Sequence, residues 1–259
     1  MSGKIFIYMM LAIAIIFLIG PFIIIFAASF SESEVLSFPP KGFTLHWFKK
    51  VITMPMFIRS FETSLWLAVL ASLLALLLGI PVAYVLARYD FPGKRFVEIL
   101  TTLPVIIPQM VAGLALLRIF IIMGIFSIRT TLLIGHTAIV LPFAVRIISS
   151  SILNLPHSIE EAAISLGASR FRVFVNVVLP NITVGIISAF ILTFITSFNN
   201  VPISLFLTGP GISTLPIVMM TYMEYYYDPS IAALATLLIL ITLGVVLTMQ
   251  KLLGVSKMI

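Results

Sequence analysis

Leu155 to Pro180 reads LPHSIEEAAISLGASRFRVFVNVVLP, and it is the longest polar-bearing stretch in the second half of a very apolar chain. Ser158 and Glu161 have the S-x-x-E spacing of a capping box, in which each side chain satisfies an orphan donor at a helix start. Glu160 and Glu161 place negative charge near the positive end of that helix's dipole. Gly167 has the freedom to take the left-handed conformation that ends a helix, and Ser169 can cap a second one. The spacing therefore predicts two short helices about a glycine hinge, with Leu179-Pro180 leading into the next apolar run. Helices this short are marginal in water alone and need a surface to dock on. Ala162, Ala163 and Ala168 are small enough to let one approach closely. An ordinary capped connector would show the same spacing.

Working outward, the flanking segments are membrane-like. The 259 residues are 61% hydrophobic and only 9% charged, against about a quarter charged in soluble domains. The expected fold class is all-α, a polytopic membrane protein forming one domain over residues 1–259. Spans are expected near 5–28, 64–86, 99–120, 131–153, 182–207 and 230–252, with a loop at 154–180. The first apolar run is too long for a signal h-region of about 7–15 residues, so it is expected to stay as an anchor. Thr44 to Lys49 reads as an amphipathic helix at the membrane surface, with Trp47 at the interface. Thr208 to Pro229 reads as an external loop.

Pro104 and Pro108 predict a bent or broken third span. Gln109, just beyond, is expected inside protein rather than against lipid. In the fifth span Thr193, Ser197, Asn200 and Ser204 recur at steps of four, three and four, on one helix face, with Asn199 beside it. Polar groups at this depth face protein or a water-filled path. Thr193, Ser197, Asn199, Asn200 and Gln109 are therefore candidates for a substrate path, with interhelical hydrogen bonding as the other use of the same groups. His136 is expected to be an interfacial or interhelical hydrogen-bonder.

Six spans put both termini on one side. With the N-terminus inside, Lys4, Arg88, Lys94, Arg95, Arg146, Arg170, Arg172, Lys251 and Lys257 are internal. Lys41, Lys49, Lys50, Arg59, Arg118 and Arg129 are external, where Glu32, Glu34, Glu62, Glu224 and Asp228 offset them. The positive-inside rule favours this orientation and puts the Glu161 loop in the cytoplasm.

Much chemistry is missing. There is no cysteine, and no G-x-x-x-x-G-K-[ST], H-E-x-x-H or G-x-S-x-G stretch, so neither a P-loop nor a familiar hydrolase or zinc constellation is present. No metal site is expected, and no basic cluster with interleaved aromatics suggests nucleic acid. An intramembrane enzyme is the weaker alternative. An ion-coupled secondary transporter is the stronger one, but it would usually want an acid or ion site within the spans.

Glu161-Ala162-Ala163, Gly167, Val177 and Leu179-Pro180 resemble the EAA loop of permease subunits of binding-protein-dependent ABC importers, with Val177 where family versions usually carry Ile. The likeness covers nearly all of the chain, most closely Ala83 to Leu253. It implies a type I importer permease in a bacterial inner membrane. Its loop would dock on an ATPase subunit through Ser158, Glu161, Ala162, Ala163 and Gly167, with Arg170 and Arg172 in support. It also implies a second permease subunit, an ATPase dimer holding ATP and Mg, and an extracytoplasmic substrate-binding protein; no cofactor is expected in this chain. A Phe-Asn-Asn stretch similar to Phe198-Asn199-Asn200 contributes to sugar binding in maltose-type permeases.

Within the family the chain looks most like the spermidine/putrescine, or polyamine/opine, branch. Ala87-Arg88-Tyr89, Phe91-x-Gly93-Lys94, Leu207-Thr208-Gly209-Pro210 and Ala233-Leu234-Ala235-Thr236 carry that likeness. Permeases of that kind tend to carry an Asp pair where this chain has Asn199-Asn200. Neutral amides suit a zwitterion, a sugar-like group or an anion at least as well as a polycation. A polyamine is the first substrate expected, with opines and amino-acid derivatives beside it.

Overall fold

The structure is a computed structural model that describes residues 2–35 and 38–252. Among these, every regular element is helical, and the one β-type contact is an isolated bridge between Gly209 and Ile212. In chain order the helices are α1 (Ser2–Ala28), α2 (His46–Thr53), α3 (Pro55–Arg88), α4 (Lys94–Ile106), α5 (Gln109–Ile122), α6 (Ile128–Leu153) and α7 (His157–Ser165). They continue as α8 (Arg170–Val173), a π-helical turn (Phe174–Val178), α9 (Leu179–Asn181), α10 (Thr183–Phe198), α11 (Pro202–Leu207), α12 (Leu215–Tyr225) and α13 (Ser230–Leu252). Lys257 lies outside the described residues, as does the side chain of Lys251.

Among the described residues, three helices are long and apolar enough to cross a membrane: Lys4–Ala28, Pro55–Arg88 and Ile128–Leu153. A fourth crossing results if Arg170–Asn181 and Thr183–Phe198, bent by 70°, are taken together. Gln109–Ile122 and Ser230–Gly244 are apolar but shorter. At 1.5 Å per residue α3 is roughly 50 Å long, well beyond a hydrocarbon core of about 30 Å.

The expected third and fifth spans are broken, each beside a proline. Ile107 takes an extended conformation (φ −70°, ψ 132°) between α4 and α5, as residues before a proline do. The break falls at Pro108, and α4 runs on past position 104 to Ile106. Likewise α10 stops at Phe198 and α11 restarts with Pro202 in its first turn, where the missing N–H has no helical partner to lose.

The chain divides into two compact units, Arg59–Ile217 and Met1–Ile58 with Val218–Ile259. In the first, α6 packs along α10, and α11 packs on α5 and α6. Its core gathers Leu67, Ala71, Ala75, Leu132, Ile148, Ile152 and Ile203, all but excluded from solvent. Small residues allow the close approaches that drive helix association in lipid. A Cβ at Gly113 of α5 would lie 2.8 Å from the Phe206 ring and 3.0 Å from the Pro202 carbonyl oxygen. One at Gly135 of α6 would lie 2.6 Å from Leu207.

In the second unit, α13 packs on α1 and α2. Two sequence expectations are corrected here. Trp47 faces protein rather than solvent or lipid: it is buried, and its indole Nε1 donates to the Ser31 carbonyl at 2.8 Å. Segment 208–229, expected as a loop, is not all loop, since it contains α12. Lys50 pairs with Asp228 at 2.5 Å. Asp228 also accepts from the Tyr222 hydroxyl and the Ser230 N–H, at 2.9 and 3.0 Å. Burial would raise the Asp228 carboxyl, but these bonds outweigh it and hold the group below the usual carboxylate range. Burial likewise opposes the charge on Lys50, yet its bonds to Asp228 and Tyr222 leave it raised.

Candidate functional site

The helix at the centre of the 154–180 loop starts two residues earlier than the capping box requires. Pro156 occupies the N-cap (φ −57°, ψ 128°) and no side chain caps α7. Ser158 thus falls inside the first turn, and Glu161 pairs instead with His157 Nδ1 at 3.1 Å, one turn back, where both side chains are exposed. The physical reason is that proline fixes φ at the value an entering helix needs, so the serine hydroxyl is not called upon.

The rest of the local reading holds. Gly167 has φ +89° and closes α7; its N–H donates to Ile164 O at 2.9 Å and the Ala168 N–H to Ala163 O at 3.1 Å. That reversal satisfies the last carbonyls of the helix. Ser169 caps α8 by accepting from the Arg172 N–H at 3.4 Å.

The loop has two unlike sides. Glu161, Ala162, Gly167, Arg170 and Arg172 are exposed and Ala163 is half-buried. Leu166 is 90% exposed and Phe171 75%. Neither was singled out in the sequence, where apolar residues next to a glycine hinge are indistinguishable from core residues. Apolar groups exposed together in this way mark sites of contact with a partner or a membrane. The inner side is anchored. Val173 and Val178 are buried, and so is Glu160, at 2% exposure. Glu160 accepts from Arg88 Nε at 2.6 Å and from the Tyr84 hydroxyl at 2.8 Å. Arg88 Nη2 also donates to the Leu155 carbonyl at 2.7 Å, and the Tyr84 ring lies 4.9 Å from that of Phe174. The last turn of α3 therefore holds the loop at three points. Sequence reading placed Glu160 only at a helix dipole, because its partners lie 72 and 76 residues away.

A second polar cluster lies where α5, α6, α10 and α11 meet. His136 is fully buried; Nδ1 is 2.9 Å from the Ser197 hydroxyl and Nε2 is 3.0 Å from that of Ser204. The Ser204 hydroxyl donates to the Asn200 carbonyl at 2.8 Å. The Asn200 side chain donates to Gln109 Oε1 at 3.0 Å and accepts from the Ile203 N–H at 2.9 Å, near the start of α11. Thr193 is buried and donates to Ala189 O, in its own helix, at 2.8 Å. The structure thus brings Ser197, Asn200 and Gln109 together around His136, as interhelical hydrogen-bonders, while Asn199 stays exposed. No group of three or more His, Cys, Asp or Glu able to hold a metal occurs among the described residues.

A family described as "Binding-protein-dependent transport system inner membrane component" matches residues 75–254, a span that contains the whole anchored loop and the polar cluster. The chain belongs to that family. Relatives of this permease include the spermidine/putrescine transport system permease protein PotC of Escherichia coli K12, 31% identical over 230 residues, covering 89% of this chain and 87% of the relative. The putrescine transport system permease protein PotI of the same organism is also 31% identical over 230 residues, with 86% and 82% covered. The molybdate/tungstate transport system permease protein WtpB of Pyrococcus furiosus is 30% identical over 221 residues, with 84% and 86% covered.

Among solved structures, a bacterial ABC transporter involved in the import of alginate superposes with a TM-score of 0.73, covering 96% of each chain at 18% identity. The MetNI methionine ABC transporter superposes with 0.62 at 22% identity, over 74% of this chain and 93% of the other. These likenesses show a shared all-α membrane permease fold. The permease is an inner-membrane component of a transport system and carries no nucleotide-hydrolysing motif of its own.

Proposed function

We propose that the permease is one transmembrane subunit of an ATP-driven importer of a polyamine, and that residues 154–180 are its cytoplasmic coupling loop. The carrying observation is the two-sided loop, apolar and exposed at Leu166 and Phe171 on one side and pinned by the Arg88–Glu160 pair on the other. A segment built this way is suited to receive a partner and pass displacement inward. In this reading Ser158, Glu161, Ala162, Ala163 and Gly167 form the docking face, with Arg170 and Arg172 as electrostatic support. ATP and Mg belong to the docked subunits, a second permease subunit completes the path, and an extracytoplasmic binding protein delivers the cargo. Broken and bent segments complete six crossings, the whole chain works as one permease domain, and both termini are cytoplasmic.

The polyamine assignment is supported by the relatives PotC and PotI, whose names give spermidine and putrescine. An oxyanion is the second reading, because WtpB, named for molybdate and tungstate, is matched nearly as well and because Asn199 and Asn200 are neutral. For the path itself Asn199 is the residue best placed to meet cargo, being exposed at the α10–α11 break. Gln109, Thr193, Ser197 and Asn200 line that region from within. The test is to recover the complex from its native membrane and screen its binding protein calorimetrically against spermidine, putrescine and molybdate. Polyamine binding is expected; molybdate binding would transfer the assignment to the second reading.

A further inference from the structure

Glu160 is the only acidic side chain buried among the described residues. Its anchoring to α3 has an arrangement that docking alone does not require. The Arg88 and Glu160 side chains are 8% and 3% exposed. Burying both charges carries a desolvation cost that close packing of apolar groups would avoid. What the pair adds is geometry. The guanidinium is a planar fork with fixed directions, and here one arm holds Glu160 in α7 while another holds Leu155, just ahead of α7. The Tyr84 hydroxyl adds a second bond to the same carboxylate, and its ring reaches Phe174 beyond the glycine hinge. Arg88 ends α3 and Glu160 lies in the first turn of α7, so each charge complements the dipole of the helix that carries it.

We propose that Arg88, Glu160 and Tyr84 are positioning residues that make α3 and α7 a single lever, so that displacement of the loop reaches α3 through side chains and not only along the chain into α6 and α10. This rests on the importer reading above. None of the three touches the exposed face, so the device acts between docking and the bundle. Lysine at 88 would keep the charge but lose the fork, since one ammonium cannot take both the Nε and the Nη2 position.

The chain has no cysteine, so spin labels can be placed singly. One goes at Leu77 of α3, which is 69% exposed, and one at Ser165, also exposed, at the end of α7. The labelled permease is purified with its nucleotide-hydrolysing partner. The Leu77–Ser165 distance is measured without nucleotide and after trapping with ATP and vanadate. The wild-type distance is expected to be the same in both states. In the R88M/E160L variant it should shift or broaden on trapping. Binding-protein-stimulated ATP hydrolysis should fall on the order of tenfold, the scale of a typical coupling between sites, while the basal rate and partner recovery persist. R88K should lie between.

A wild-type distance that changes with nucleotide would overturn the lever, and so would a double variant with unaltered distance and stimulation. The first of these needs no variant to fold. Failure of the importer reading shows differently: the wild-type permease would be recovered with no nucleotide-hydrolysing partner at all.

Discussion

Replacing Asn200 by alanine separates two uses of an intramembrane amide. Asn200 is 5% exposed, and both ends of its side chain are engaged, with Gln109 and with the Ile203 N–H. The second bond takes up a free first-turn N–H of α11 much as a helix cap does, a class that costs about 1 kcal/mol to remove. The first is an interhelical bond, of a class averaging about 0.6 kcal/mol in membrane proteins. Together the loss should be about 1.5 kcal/mol, or somewhat more if the Gln109 carbonyl is left unpaired. Asn199→Ala, at the exposed neighbouring position, should stay within about 0.5 kcal/mol of wild type. The assay is reversible unfolding in dodecylmaltoside micelles titrated with SDS, followed by circular dichroism. Transport should show the opposite pattern, with Asn199→Ala raising KM for uptake and Asn200→Ala lowering the amount of folded permease. Equal stability losses at the two positions would refute the reasoning. So would a fully stable Asn200→Ala permease that had lost uptake, which would make Asn200 a cargo contact.

Other consequences follow from single observations. Gly167 has open space around its missing Cβ, so Gly167→Ala should cost only the left-handed backbone strain, about 1 kcal/mol, whereas Gly167→Trp should abolish stimulated ATP hydrolysis with the complex still in the membrane. Gly113→Val should overpack the α5–α11 contact and destabilise by about 1–3 kcal/mol in the same micelle titration. The Asp228 carboxyl is depressed in the folded state, so its stabilisation is present above its unfolded value of about 3.9 and is lost as pH falls through the lower folded value. The gap in melting temperature between wild type and Asp228→Asn should be constant near neutrality and close in acid; a gap that widened in acid would contradict the pairing. Lys50 has the opposite sign, its raised value giving stabilisation that fades only in strong alkali.

What the sequence disclosed follows from how local each signal is. Gly167 and Ser169 act on backbone groups within a few residues, and both behave as their types require. Pro108 acts on the chain beside it, so the break in the third span was legible, whereas the fifth was expected to run as one helix and breaks before Pro202. The capping box failed because Pro156, two positions ahead of Ser158, started the helix first. The steps of four, three and four from Thr193 to Ser204 led to groups of which Ser197, Asn200 and Ser204 join one network although the helix breaks between them, while Thr193 bonds within its own helix. Their partner His136 is more than sixty residues away and could not be paired with them by pattern. Arg88 and Glu160 are as far apart, and Trp47 with Ser31, although only 16 residues apart, follows no helical spacing either. An interfacial tryptophan and a buried one look alike in sequence, since either needs an apolar body and one hydrogen-bond acceptor.

The central claim is that the exposed face of the 154–180 loop receives a nucleotide-hydrolysing subunit. A photo-crosslinking residue placed at Leu166, where the side chain is almost wholly exposed, tests this in native membranes with mass identification of the adduct. The account predicts an adduct with an ATP-binding subunit, and none with that subunit from the same residue placed at Leu77. An adduct only with lipid or with a protein lacking nucleotide-binding sequences, or no adduct at all, would contradict it.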